Sequence, residues 1–240
     1  MEKTRINKYL SEIGYCSRRA ADQLLDEGRI KVNGEVPEKG LKVSPEDEII
    51  IDGKKVGAPK SEFVYIAFNK PVGIVCTTDS KREKNNIIDY IGHKERIFPI
   101  GRLDKPSEGL ILLTSDGDIV NKILRSRNNH GKEYIVRLDK PITPTFLKKM
   151  SNGVPILGTV TKKCEVEQID TLSFRIVLTQ GLNRQIRRMC EYLGYEVKKL
   201  KRVRVLNIHL DLPIGKWRDL TSEELSELQA IVQDSSKTVE

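Results

Sequence analysis

The residues best suited to chemistry crowd into one stretch, Gly101-Arg102-Leu103-Asp104-Lys105-Pro106-Ser107-Glu108-Gly109. A Gly- and Pro-punctuated loop there carries Arg102, Asp104, Lys105 and Glu108, and the apolar run Leu110-Ile111-Leu112-Leu113 follows at once. A strand behind such a loop would hold a carboxylate and its neighbouring cations in fixed geometry. The plain alternative is an arginine-aspartate ion-paired turn. Glu108 and Asp116 are further carboxylates close to Asp104 in the sequence. Arg187 lies in a second charged stretch, on the side of a predicted helix opposite Ile186, Met189, Cys190 and Leu193. Its guanidinium should point away from the core, and on the residues alone it pairs with Glu191 four positions on.

Other chemistries find little support. Cys16, Cys76, Cys164 and Cys190 are far apart, and His93, His130 and His209 are scattered, so a metal site is not expected. The thiols should be free in a reducing cytosol. No phosphate-binding Gly-x-x-x-x-Gly-Lys-Ser/Thr loop is present. No run of about 18 apolar residues occurs, and the N-terminal residues lack a signal-peptide stretch, so neither a membrane span nor secretion is expected. The 240 residues carry 42 Lys plus Arg against 34 Asp plus Glu, a net charge of +8, which suits a polyanionic partner. Residues 122–149 and 184–204 each hold eight basic and two acidic side chains. Residues 1–60 are nearly balanced, although Arg5, Lys8, Arg18 and Arg19 could share a face. Aromatic residues make up only 5% of the chain, too few for an open stacking platform, so base contacts should be deep and few.

Two modules must position these groups. In residues 1–57, Ile6, Tyr9, Leu10 and Ile13 recur at helical spacing before Gly14, and Ser17 can cap a second helix that stops at Gly28. Asn33-Gly34 and Asp52-Gly53 predict tight hairpin turns. Residues 58–61 read as a linker. From 62 to 240 the apolar runs lengthen, with strands expected at 63–68, 109–114, 133–138, 172–179 and 203–210. Helices are expected at 118–126, 144–151, 183–193 and 221–232, the last opened by a Thr221/Glu224 capping box. The irregular alternation predicts an α+β fold.

With these residues in view, the sequence resembles the RsuA branch of the RNA pseudouridine synthases, and within it the RluF/RluB type acting on large-subunit ribosomal RNA. The resemblance covers nearly the whole chain. It rests on Lys70-Pro71-Val72-Gly73, Gly101-Arg102-Leu103-Asp104, Lys132-Glu133-Tyr134 and Gln180-Gly181-Leu182-Asn183-Arg184-Gln185-Ile186-Arg187-Arg188-Met189, in the family's order. Softer features are Asn121-Lys122-Ile123-Leu124-Arg125 and Tyr195-Glu196-Val197-Lys198-Lys199-Leu200. Residues 1–57 are similar to the S4 RNA-binding domain.

The resemblance implies a small S4-like domain followed by a synthase domain at 62–240, with a mixed, mainly antiparallel sheet flanked by helices. It implies conversion of uridine to pseudouridine in 23S ribosomal RNA by a cytoplasmic monomer, without cofactor or metal and with a transfer RNA as an open second substrate. Asp104 would be the essential carboxylate, either nucleophile or base; Arg187 would keep it ionised, and Tyr134 would pack on the target base. Arg102 would fill the gap left by the flipped uridine, and Arg184, Arg188, Lys198, Lys199, Lys201 and Arg202 would hold phosphates. Ser107 and Ser115 stand where the family commonly has threonine and asparagine. The stretch 234–240 is not a long basic tail, which implies weaker tail-dependent RNA affinity. The competing expectation is a non-enzymatic RNA-binding or ribosome-assembly protein with a degenerate synthase domain.

Overall fold

A computed structural model describes residues 3–57, 62–124, 129–233 and 235. The expected linker at 58–61, the end of the helix expected over 118–126 and most of the stretch 234–240 lie outside them. The chain divides into two compact units, Met1–Val64 with Ser115–Gly117, and Tyr65–Thr114 with Asp118–Glu240.

The first unit contains β1 (Thr4–Arg5), α1 (Ile6–Glu12), α2 (Arg18–Asp26), β2 (Ile30–Val32), β3 (Lys42–Val43), β4 (Ile49–Ile51) and β5 (Lys54–Lys55). Its helix boundaries follow the expected signals. Gly14 and Gly28 take positive φ just beyond the two helices, and Ser17 Oγ accepts the Ala20 amide at 3.1 Å. Asn33-Gly34 and Asp52-Gly53 both have positive φ at each residue, the geometry of a two-residue hairpin turn. Strands β2, β4 and β5 form one antiparallel sheet, and β1 pairs with β3. Ile6, Leu10, Ala21, Ile30, Ile49 and Ile51 are buried together between the helices and strands.

The second unit opens with β6 (Tyr65–Lys70), α3 (Ile87–Ile91), β7 (Phe98–Ile100), β8 (Glu108–Thr114) and α4 (Gly117–Leu124). Next come β9 (Lys132–Leu138), α5 (Pro144–Asn152), β10 (Pro155–Ile156), β11 (Thr159–Val160), β12 (Glu165–Gln168) and β13 (Ser173–Leu178). The chain closes with α6 (Gln185–Tyr192), β14 (Val197–Val205), β15 (Ile208–His209), β16 (Trp217–Asp219) and α7 (Ser222–Val232). One sheet runs in the order β12, β13, β9, β14, β8, β6, β16, with β15 added to β14 and β7 to β8. Its pairings are antiparallel except that between β14 and β8, which makes the fold the mixed α+β architecture expected. One apolar cluster joins β9, β13 and β14 to α5 and α6 through Val136, Phe174, Phe146 and Met189. Another joins β6 and β8 to α4 and α7 through Ala67, Leu112, Ile123 and Leu228. Each of these side chains larger than alanine contributes roughly 1.5–3 kcal/mol when fully buried.

The strand expected at 203–210 is a correction. Strand β14 begins at Val197 and ends at Val205, and the chain reverses so that Val205 pairs with Ile208. The run Lys198-Lys199-Leu200-Lys201-Arg202 is too polar to reveal a strand, yet β9 and β8 supply hydrogen-bonding partners on both sides. Strand β6 also extends two residues past the expected run, burying Asn69 and Lys70. Helix α7 carries both hydrogen bonds of the Thr221/Glu224 capping box.

The parallel pair places Gly109 of β8 beside Arg202 of β14, with φ of +108° at the glycine. A Cβ there would collide with the backbone carbonyl of Arg202. Gly109→Ala should therefore lower stability by about 3 kcal/mol or more in urea unfolding; an unchanged midpoint would show that the strands can part without cost.

Candidate active site

Asp104 sits in the loop between β7 and β8, which is pinned from several directions. The segment after β6 brackets it: the Leu103 amide donates to Cys76 Sγ at 3.4 Å, and the Gly73 amide donates to the Lys105 carbonyl at 2.8 Å. That segment is shaped in turn by Lys70, whose Nζ donates to the carbonyls of Pro71 and Ile74 at 2.8 Å each. The Ser107 amide closes the turn on the Asp104 carbonyl at 2.9 Å.

Arg187 approaches the same loop from α6. Its Nη2 donates to the Pro106 carbonyl at 3.1 Å and to Ser107 Oγ at 3.3 Å, while Nη1 donates to the Val197 carbonyl at 3.1 Å. The guanidinium ties the loop to the start of β14, and its ion pair with Glu191 does not occur among the described residues. Asp104 is about one-third exposed, and its ion pair within 4 Å is made by Arg184, with Nη1 3.7 Å from Oδ2. That corrects the expectation that Arg187 would be the immediate counter-ion. Burial and the neighbouring Arg184 lower the pKa of Arg187, while Asp104 acts in the opposite direction. The physical reason is that the Arg187 donors are taken by Val197, Pro106 and Ser107, whereas Arg184, which precedes α6 in a left-handed conformation with φ 49° and ψ 36°, faces the carboxylate.

Strand register brings Tyr134 into the same region. Lys70, Gly109, Arg202 and Tyr134 form one row across β6, β8, β14 and β9. Tyr134 is half-buried and packs on the cluster beside α6. Arg202, expected to meet a phosphate, is instead 3% exposed, and its Nε donates to the Leu110 carbonyl at 2.7 Å. Its place at the centre of the sheet, between β8 and β9, buries it. Of the other basic residues, Arg102, Arg184, Lys198 and Lys199 are exposed, and Arg188 and Lys201 are half-buried. Arg188 is tied back to the carbonyl and Oδ1 of Asn183, and Lys198 pairs with Glu196 at 2.7 Å. In the first unit Arg5, Arg18 and Arg19 are exposed, and Lys8 pairs with Glu12 at 3.2 Å.

Several atoms that build the site carry no chemical signal in the sequence: Cys76 Sγ, the Pro106 carbonyl and Ser107 Oγ each accept one hydrogen bond there. Lys70 is legible as part of a motif, but its complete burial is not. Burial lowers its pKa, opposed by the neighbouring Cys76, Asp104 and Glu108, and burial raises that of Cys76. Among the described residues, no group of three His, Cys, Asp or Glu side chains gathers to hold a metal, and no helix is long and apolar enough to cross a membrane.

A mixed sheet that presents a pinned carboxylate loop, an arginine-bearing helix and a strand tyrosine, preceded by a small helix-and-hairpin unit, suits an RNA-modifying enzyme. Residues 64–192 match the RNA pseudouridylate synthase family, and residues 4–49 match the S4 domain. The chain is 54% identical over 237 residues to the dual-specificity RNA pseudouridine synthase RluF of Escherichia coli K12, across 98% of this chain and 81% of that one. It is 35% identical to the ribosomal large subunit pseudouridine synthase B of Bacillus subtilis, across 95% of this chain and 96% of that one. A crystal structure of a pseudouridylate synthase superposes with a TM-score of 0.68 at 28% identity, covering 93% of this chain and 99% of that one. The chain belongs to the RNA pseudouridine synthase family.

Two measurements test this electrostatic frame. Burial pushes the Lys132 ammonium down to about 8 from its ordinary 10.5. Between those values the unfolded chain binds more protons, so this group makes stability rise with pH there. Lys132→Met should raise stability at pH 7 by up to roughly 3 kcal/mol and flatten that rise; urea titrations at pH 7 to 10 that coincide in slope would refute it. Arg187→Ala removes the strut on Pro106 and Ser107 and should lower turnover more than RNA affinity. A loss confined to affinity in steady-state kinetics would make Arg187 a phosphate contact alone.

Proposed function

We propose that this synthase isomerises one uridine of 23S ribosomal RNA, with Asp104 as the reacting carboxylate. In this reading residues 1–57 are the S4-like module that chooses the RNA by shape and phosphate position, and residues 62–240 are the catalytic domain. The observation that carries it is the fixing of Asp104 from both chain neighbours, by Cys76 and Gly73, with a cation beside its carboxylate. The reaction breaks the bond from the ribose to the uracil nitrogen, turns the base and joins the ribose to carbon 5. The carbon 5 proton leaves, and the released nitrogen gains one, so the product is an isomer and no cofactor is consumed.

A stacked uridine hides its sugar bond, so the base must flip out at a cost of about a few kcal/mol. Arg102, Arg184, Arg188, Lys198, Lys199 and Lys201 of the catalytic domain, with Arg5, Lys8, Arg18 and Arg19 of the small module, are the proposed phosphate and RNA contacts that offset it. Tyr134 packs on the flipped base, and Arg102 fills its place in the stack. Identity to a synthase named for ribosomal large subunit RNA supports the substrate, and identity to one named dual-specificity supports a second RNA, for which a transfer RNA is the candidate. The four free cysteines suit a reducing cytoplasm, where we place the protein as a monomer.

Asp104→Ala should abolish tritium release from RNA labelled at uracil carbon 5 without loss of RNA binding. Wild-type release by that variant would discard the assignment.

A further inference from the structure

We propose that Arg184 is a hand-over residue: in the RNA-free protein it neutralises Asp104, and on RNA binding it moves to a backbone phosphate and uncovers the carboxylate. The proposal rests on the assignment of Asp104 as the reacting group.

Three arginines stand at the start of α6, and the structure treats them differently. Arg187 is held by the carbonyls of Val197 and Pro106 and by Ser107 Oγ. Arg188 is held by the carbonyl and side chain of Asn183. The Arg184 side chain makes no hydrogen bond among the described residues and is 45% exposed. Among the described residues its single ion pair is the one with Asp104, and the 3.7 Å separation exceeds the roughly 2.7–2.9 Å of a charge-assisted hydrogen bond. A guanidinium with five unused donors and one long contact is poised for a better acceptor, and a phosphodiester offers bidentate geometry.

The surroundings favour the same exchange. Arg184 and Arg187 repel each other electrostatically, so a phosphate arriving at this helix start relieves the repulsion, whereas a single shared carboxylate does so only in part. Arg184 stands just before the helix in a left-handed backbone conformation, and its side chain faces Asp104 at 3.7 Å. A non-glycine residue holds that conformation at a cost, which marks the position as one where direction matters. The consequence is a part-exposed carboxylate whose charge is balanced by Arg184 until RNA arrives.

A double-mutant cycle on RNA affinity tests the exchange, using a large-subunit ribosomal RNA transcript labelled at uracil carbon 5. If Arg184 must leave Asp104 to bind phosphate, Asp104→Asn should bind this RNA about two- to five-fold more tightly than wild type, the range of an exposed ion pair. That gain should vanish when Arg184→Gln is added. Arg184→Asn repeats the cycle with a residue that tolerates the left-handed backbone, should the glutamine variant melt early. An equal gain with and without Arg184, or no gain at all, overturns the hand-over. Tritium release by Asp104→Asn separates the two levels. Persistent isomerisation removes Asp104 from the chemistry and the hand-over with it, whereas an inactive variant with an additive cycle removes only the hand-over.

Discussion

The parallel pairing of β8 with β14 is the constraint on which the site depends. It joins segments 92 residues apart, through the Arg202 guanidinium on the Leu110 carbonyl and the close approach of Gly109 to the Arg202 backbone. The Asp104 loop enters β8, and α6 leads into β14, so setting these two strands side by side sets the carboxylate beside the arginines. Parallel neighbours need a long crossover. Here the intervening chain supplies β9 on the other side of β14, and with it Tyr134.

Around that pairing, the arrangement of charge separates rigidity from exchange. Lys70 and Arg202 are buried cations that bond to backbone carbonyls and shape the floor of the site. Burying such groups costs stability, as the lowered pKa values of Lys70 and Lys132 record. What the cost secures is a loop whose neighbours on either side of Asp104 are bonded to fixed atoms. Arg187 belongs to this rigid set. Arg184 does not, and the carboxylate therefore has one partner that can leave without disturbing the scaffold. Preorganised polar groups are effective because they need not reorganise during reaction.

Much of the architecture was legible from local signals. Glycine stops, the Ser17 cap, the Thr221 capping box and the Asn-Gly and Asp-Gly turns each depend on a few neighbouring residues, and the helices and hairpins they predict are present. The site motifs were legible as clusters of charge in loops beside apolar runs. Strand β14 was not, because its lysines and arginines hide the alternation that a half-buried strand normally shows, and a bulge between Val197 and Lys199 shifts its phase. The short elements α3, β7, β10, β11, β12 and β16 were missed for a similar reason: two to five residues carry too little periodicity.

By itself the sequence determined which groups could take part, since a motif is a statement about residue type and spacing along the chain. The tertiary structure decided their partners. It gave Asp104 to Arg184, turned Arg187 into a strut between Pro106 and Val197, and withdrew Arg202 into the sheet. The reason is that an ion pair or a buried hydrogen bond depends on distances of a few ångströms between segments far apart in sequence, and those distances are set by strand register and backbone conformation together.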